Sequence, residues 1–369
     1  MGALSHLRVV EVGDDIGAYA GKLFAELGAS VVRVSTTDLE VLEAPQFDPD
    51  PFVQDFLHRS KRRVQLSADP AARTDALARL IGSADVLLEA GPPDLLERLG
   101  IPARHPCLVR ASLIRTRITP YGIDGDRAQD PVSDLVCSAS AGFLFLGGWP
   151  DRAPTRAHGD QSWRMASLHA AVGAMLALFE REESGLGQQV DVSAEEAVAT
   201  ALENALQFFD LEGTVRTRTG AGYDEAGTGV YACADGYVYV MVGRLSTARG
   251  WASLLDFLDE AEAAGASVLR REEWSDQRYR KTARAQKEFR TVFEQFAANW
   301  RKKELYVEAQ RRGIAICPIN TPDDLLEDEH LLAREFFLEV DGARVVGAPY
   351  RLSATPWAIR PHVLDEELA

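Results

Sequence analysis

A chain of 369 residues with 46% hydrophobic content can bury more than one core, so two domains are expected. Its 56 Asp and Glu against 40 Lys and Arg leave a net charge of -16, which argues against nucleic acid or an anionic membrane as the main partner; any bound anion has to be met by a local basic patch. The cysteines Cys107, Cys137, Cys233 and Cys317 form no C-x-x-C pair, the histidines show no metal-ligand spacing, and neither a signal peptide nor an apolar run of ~20 residues occurs, so a cytoplasmic protein without metal or disulfides is expected.

In chain order, LRVVEV (7–12) reads as a strand, AYAGKLFAELG (18–28) as a helix closed by Gly28, and SVVRV (30–34) as a second strand. After the loop EAPQFDPDP (43–51) and the basic run HRSKRRVQLS come the helix AARTDALARLIG (71–82) and the strand DVLLEA (85–90). This alternation predicts an α/β fold with a largely parallel sheet covered by helices. Gly13, Gly17 and Gly21 recur at G-x-x-x-G spacing, which fits close helix packing and not a dinucleotide fingerprint. From Val230 the texture changes. VYACADGYVYVMVG carries hairpin alternation around Asp235-Gly236, followed by the helices QKEFRTVFEQFAANW (286–300) and KKELYVEAQRRG (302–313). Further on, Thr321 and Pro322 mark a helix start, and Asp341-Gly342 a second hairpin.

Between these halves lies HGDQSWRMASLHAAVGAMLALFEREESG. Met165, Leu168, Val172, Met175, Leu176 and Phe179 follow the i, i+3, i+4, i+7 rule, which predicts a core-packed helix over 161–184, capped by Gly185. Asp160 then falls at the N-cap. Two readings are open: a carboxylate that accepts orphan N–H bonds at the positive end of the helix, or one that reacts. As a nucleophile it would be kept ionised by the helix end, Gly159 would let a substrate approach, and attack on a thioester would give an acyl anhydride.

GD followed by an apolar helix, then G-x-G-Q and V-D-V-S, resembles the signature of the class III CoA-transferases, a family that also contains acyl-CoA racemases. LRVVEV…AGKLFAELGASVVRV, HRSKRRVQL, ADVLLEAGPPDLLERLG, ICPINTPDDLLEDEHLLAREFF and GAPYRLSATP extend the likeness along most of the chain. The resemblance implies a Rossmann-like large CoA-binding domain from residues 1–200 and 325–369, a linker over 201–224, a small α+β domain over 225–324, and an interlocked dimer. It also implies CoA transfer from an acyl-CoA to a carboxylic acid through covalent intermediates on Asp160. Gly159, Gln161, Ser133 and Asp134 become candidate substrate contacts. Lys61, Arg62 and Arg33 become candidate contacts to coenzyme A, which is a substrate and not a tightly bound cofactor.

Several residues cut across that expectation. Of Arg59, Lys61, Arg62 and Arg63, the basic run alone is equally a solvated rim. Where relatives carry CoA contacts this chain has Gly13 to Asp15, Thr36, Ala90, Gly91 and Pro131, which suggests weak CoA binding and a hetero-oligomer in which a related chain shares the work. Ser133-Asp134 stands where the racemase branch carries a His-Asp proton shuttle; serine cannot serve as that base, and VGRLSTARG offers no opposing acid, so racemisation is disfavoured. His158 reads as a loop residue. Gly220, Gly222, Gly227 and Gly229 read as an interdomain linker, with a lid as the alternative. Trp149, Trp163 and Phe143 suit either a roomy acyl pocket or the core.

Overall fold

The computed structural model describes residues 2–35, 50–222, 225–243, 248–360 and 363–367. Thr36, most of the 43–51 loop, Tyr223, Asp224 and the middle of VGRLSTARG lie outside the described residues. The β-branched runs form β1 (Arg8–Gly13), β2 (Ser30–Ser35), β3 (Arg62–Gln65), β4 (Val86–Ala90), β5 (Ile114–Thr119) and β6 (Gln189–Ser193). With β12 (Val363–Glu367) they make a seven-stranded sheet in the order β12-β3-β2-β1-β4-β5-β6. Every neighbouring pair in it is parallel.

The helices between the strands are α1 (Ala18–Glu26), α2 (Pro51–His58), α3 (Pro70–Ser83), α4 (Leu95–Arg98), α5 (Asp134–Ser140), α6 (Phe143–Leu146), α7 (Gln161–Ser184), α8 (Ala194–Ala199) and α9 (Glu203–Glu212). Because side chains alternate along a strand, the sheet has a core on each face. Val9, Val86 and Leu88 join α1 and α7 on one face, while Val10, Val12 and Leu87 join Leu77, Ile81 and Leu95 on the other.

The glycines after β1 are explained by close approach. A Cβ on Gly13, which has φ +118°, would overlap the Ala90 carbonyl oxygen, and one on Gly21 would overlap the Glu11 carboxylate.

The second apolar core belongs to β7 (Thr228–Cys233), β8 (Gly236–Met241) and β9 (Ile316–Ile319), an antiparallel three-stranded sheet. It packs with α10 (Ala248–Glu260), α12 (Ala283–Ala297) and α13 (Lys302–Arg311); α11 (Gln277–Arg280) is a single turn. Then follow α14 (Pro322–Leu326), opened by a Thr321–Asp324 capping box, α15 (Glu329–Ala333), and the hairpin of β10 (Phe337–Val340) and β11 (Ala343–Val346). Asp341 and Gly342 at its tip both have positive φ, as a two-residue turn requires. The chain divides into two compact units, one of residues 1–145, 156–216 and 333–369, the other of residues 146–155 and 217–332.

Two sequence expectations are corrected. α7 spans Gln161–Ser184 as predicted, but the large apolar stripe does not face the core: Leu168, Val172, Met175, Leu176 and Phe179 are 39% to 78% exposed. The buried stripe is Ala166, Ala170, Ala174 and Ala177, whose small side chains let the helix lie close against α1 and the sheet. Residues 201–224 were expected as a linker, yet they begin with a 3-10 turn (Thr200–Leu202) and α9. The glycine-rich segment is also tied down within its unit: Gly220 N–H donates to Gly148 O at 3.0 Å, and a Cβ on Gly220 would strike the Trp149 ring.

Candidate active site

Asp160 holds the N-cap position of α7, its carbonyl accepting from Arg164 N–H at 3.1 Å, but its side chain makes no capping bond. That duty falls to Asp134, the first residue of α5. Asp134 Oδ1 accepts from Ser162 N–H at 2.8 Å, and Ser162 Oγ donates to the Asp134 carbonyl at 3.2 Å. The α7 terminus thus has one of its orphan donors satisfied from outside the helix, and the Asp160 carboxylate is left with 44% of its side chain exposed. Of the two readings of Asp160, side-chain capping is the one the geometry removes.

Arg156 links the two acids. Its Nη2 donates to Asp160 Oδ1 at 3.1 Å, to Asp134 Oδ2 at 3.4 Å and to the Gly159 carbonyl at 3.4 Å. Asp134 is buried, with 7% of its side chain exposed, whereas Arg156 is 48% exposed. The approach to Asp160 is a bend in which Gly159 takes φ +74°, in the left-handed region. Gln161 Nε2 donates back to the His158 carbonyl at 2.8 Å and fastens that bend. His158 is an exposed loop residue, as expected. Cys137, one turn along α5, is no rival nucleophile: burial pushes its thiol up to about 11.

Of the candidate substrate contacts, Gly159, Gln161 and Asp134 therefore gather at Asp160. Ser133 has a local task instead, its hydroxyl accepting from Val136 N–H at 3.4 Å as N-cap of α5. Phe143 and Trp163 pack against the core beside α7, and Trp149 lies against Gly220 in the other unit.

The basic candidates form a separate cluster. Lys61 is a correction: its side chain is 1% exposed. Its Nζ donates to Glu11 Oε1 and Oε2 at 2.9 and 2.7 Å and to the Ala18 carbonyl at 2.7 Å, which leaves no face for a phosphate. Burial lowers its pKa to about 8 even though Glu11 pulls it up. Arg59 is likewise buried, paired with Asp55 and Asp341 at 2.6 Å.

Lys61 Nζ also lies 3.1 Å from His58 Nδ1, so Nδ1 accepts and Nε2 carries the hydrogen toward Asp15 Oδ1, 3.4 Å away. Burial lowers the His58 pKa and keeps the ring neutral. Partial burial of Asp15 works against its charge, but hydrogen bonds from His58 and Gln54, with the Arg33 charge 3.8 Å off, outweigh it and hold Asp15 down at about 2. Arg33 is thus engaged with a fixed anion, and Arg62 sits half-buried on β3 between Val32 of β2 and Val363 of β12.

What sequence reasoning missed is Arg156 and the capping role of Asp134. Arg156 stands four residues before Asp160, a spacing that has no meaning outside a helix, and Asp134 meets Ser162 across 28 positions.

The model of CoA-transferase family III matches residues 4–363. The chain is 34% identical to the succinyl-CoA:(R)-benzylsuccinate CoA-transferase subunit BbsE of Thauera aromatica, over 96% of this chain and 89% of that protein. It is 27% identical to the succinyl-CoA–D-citramalate CoA-transferase of Chloroflexus aurantiacus, over 96% and 89%. A crystal structure of a CAIB/BAIF family protein from Brucella suis superposes with a TM-score of 0.83 at 22% identity, over 98% of this chain and 95% of that one, and shares the fold. With the family's matched span running almost the whole length of the chain, the protein belongs to CoA-transferase family III and is an acyl-CoA:carboxylate CoA-transferase.

Proposed function

We propose that the enzyme moves CoA from succinyl-CoA to a carboxylic acid acceptor through covalent intermediates on Asp160. The observation that carries this reading is that Asp160 stands at the start of α7 with its carboxylate exposed and excused from capping by Asp134. Asp160 attacks the thioester carbonyl, giving an aspartyl-acyl anhydride and CoA thiolate. The thiolate then attacks the aspartyl carbonyl, releasing the donor acid and leaving an aspartyl-CoA thioester. The acceptor carboxylate attacks that thioester in turn, and the expelled thiolate collects the new acyl group, so one hard exchange becomes several easier ones.

First-turn N–H groups of α7 are the oxyanion donors nearest to hand, each worth about 3 kcal/mol, although the Ser162 donor is already taken by Asp134. Succinyl-CoA as donor rests on the names of the two relatives, both of which carry it. Asp160→Asn keeps the shape of the side chain and removes its nucleophilicity. It is expected to abolish transfer and the hydroxylamine-labile adduct that succinyl-CoA leaves on residue 160; turnover retained in that variant sinks the assignment.

The assembly is proposed to be an interlocked dimer, with the exposed face of α7 covered by a second chain. Whether that chain is a copy or a related subunit is decided by CoA binding. Burial of Lys61 and the fixed charge of Asp15 support a weak cradle, and the relative in Thauera aromatica is itself named a subunit. If the hetero-oligomeric reading is right, the adduct on Asp160 forms only once a related chain is added.

A further inference from the structure

The reading of Asp160 as nucleophile leaves a charge to be accounted for, and the following inference rests on that reading. Arg156 faces two carboxylates at once, and they differ in permanence. Asp134 is buried and fixed by the Ser162 amide, so its position is constant. Asp160 is half-exposed, and its charge disappears whenever it carries an acyl group or CoA. An anhydride or thioester carbonyl is a poor partner for a guanidinium compared with the carboxylate it replaces. Arg156, still held by Asp134, would then lack its nearer anion during half of the catalytic cycle.

We propose that Arg156 is the binding residue for the reacting carboxylate of the free acid, donor product and acceptor alike, and that it passes between Asp160 and that acid as the cycle turns. In the resting site, one guanidinium and two carboxylates sum to one negative charge. With Asp160 esterified and a free carboxylate seated on Arg156, the sum is the same. The local field stays constant while the covalent partner changes.

The geometry suits the transfer. Nη2 lies 3.1 Å from Asp160 Oδ1, so an acid hydrogen-bonded to this guanidinium has its oxygen beside the aspartyl carbonyl carbon. The acceptor oxygen forms a bond to that carbon as the C–S bond breaks, and CoA departs as thiolate. No proton, oxidant or reductant is consumed. When the acyl group leaves as acyl-CoA, Asp160 regains its charge and takes the guanidinium back, which loosens the site's hold on any remaining free acid.

The test uses the assembled enzyme with succinyl-CoA and isotope-labelled succinate, following label exchange into succinyl-CoA and, separately, adduct formation on Asp160. Arg156→Ala is expected to form the adduct at a similar rate but to raise the KM for succinate by roughly 10- to 100-fold, the worth of one charged hydrogen bond, and to accumulate aspartyl-CoA thioester. Arg156→Lys should recover part of the lost affinity.

If the adduct forms in the parent enzyme but Arg156→Ala leaves the succinate KM unchanged, the inference fails while the nucleophile stands. A slowed adduct step with unchanged KM would likewise overturn it, making Arg156 a prop for the Asp160 rotamer. If the parent enzyme forms no adduct on Asp160, both readings fall together.

Discussion

Lys61 shows how the same residue carries different meanings in sequence and in space. Read in the run Arg59, Lys61, Arg62, Arg63 it belongs to a basic patch in an acidic chain. In the fold, strand β3 alternates its side chains, and the turn before it points Lys61 inward to Glu11 beneath α1, where Gly21 leaves room for the pair. Substituting Lys61→Met would strand the Glu11 carboxylate, itself 3% exposed, without a partner. We expect a loss of about 3–5 kcal/mol of stability, read by denaturant unfolding at neutral pH, since removing one member of a buried pair leaves the other's desolvation uncompensated. A stability change within experimental error would mean that Glu11 finds another partner or protonates cheaply. At this scale the candidate site was half legible. Asp160 and its Gly159 stand next to each other and announce a helix start, whereas Asp134 and Arg156 gain their roles from a contact across 28 positions and from a loop bend that leaves no periodic trace.

Helix α7 carries the lesson at the scale of elements. Its length and both ends were legible, because the acidic N-cap position and Gly185, with φ +71°, are local signals. Its inward face was not. Two stripes on this helix have helical spacing, one of large apolar residues and one of alanines, and the period alone does not say which meets the core. Proximity to α1 favours the alanines, so the large stripe is left outside, and Leu206, Phe209 and Leu211 of α9 add more exposed apolar surface in the same unit. If that surface is buried between chains, Leu176→Glu with Phe179→Glu should convert the oligomer to a monomer by light scattering while the helical circular dichroism persists. An unchanged mass would place the interface elsewhere. The absence of any legible signal for α9 has a simple cause: residues 201–224 end in Gly-rich sequence, and that composition masked the helical turns before it.

The whole molecule is assembled out of chain order. The alternating pattern of the first hundred residues made the parallel sheet legible, and the hairpin at Asp235-Gly236 did the same for the small sheet. The edge strand β12 was not, because VLDEE has neither alternation nor an apolar run. It is led in by a strap: Trp357 Nε1 donates to Glu26 Oε2 at 3.0 Å, Ala358 N–H to the Glu26 carbonyl at 3.0 Å, and Arg360 Nη2 to the Ala25 carbonyl at 2.9 Å. A chain stopped before Trp357 should therefore express with an open β3 edge and aggregate on gel filtration, where the full chain elutes as a defined species; a well-behaved truncated form would show the strap to be dispensable. The same feature has a consequence for biosynthesis. β3 ends at Gln65 and its neighbour begins at Val363, so at 5–20 residues per second the ribosome leaves that edge unpaired for roughly 15 to 60 s. Over the same interval the inserted unit, most of it encoded in one stretch from Thr217 to Leu332, is made in full and is free to close around its own core. The nascent large sheet is thus the client that a holding chaperone would find, and a slow codon placed after Leu332 would lengthen its exposure without affecting the small unit.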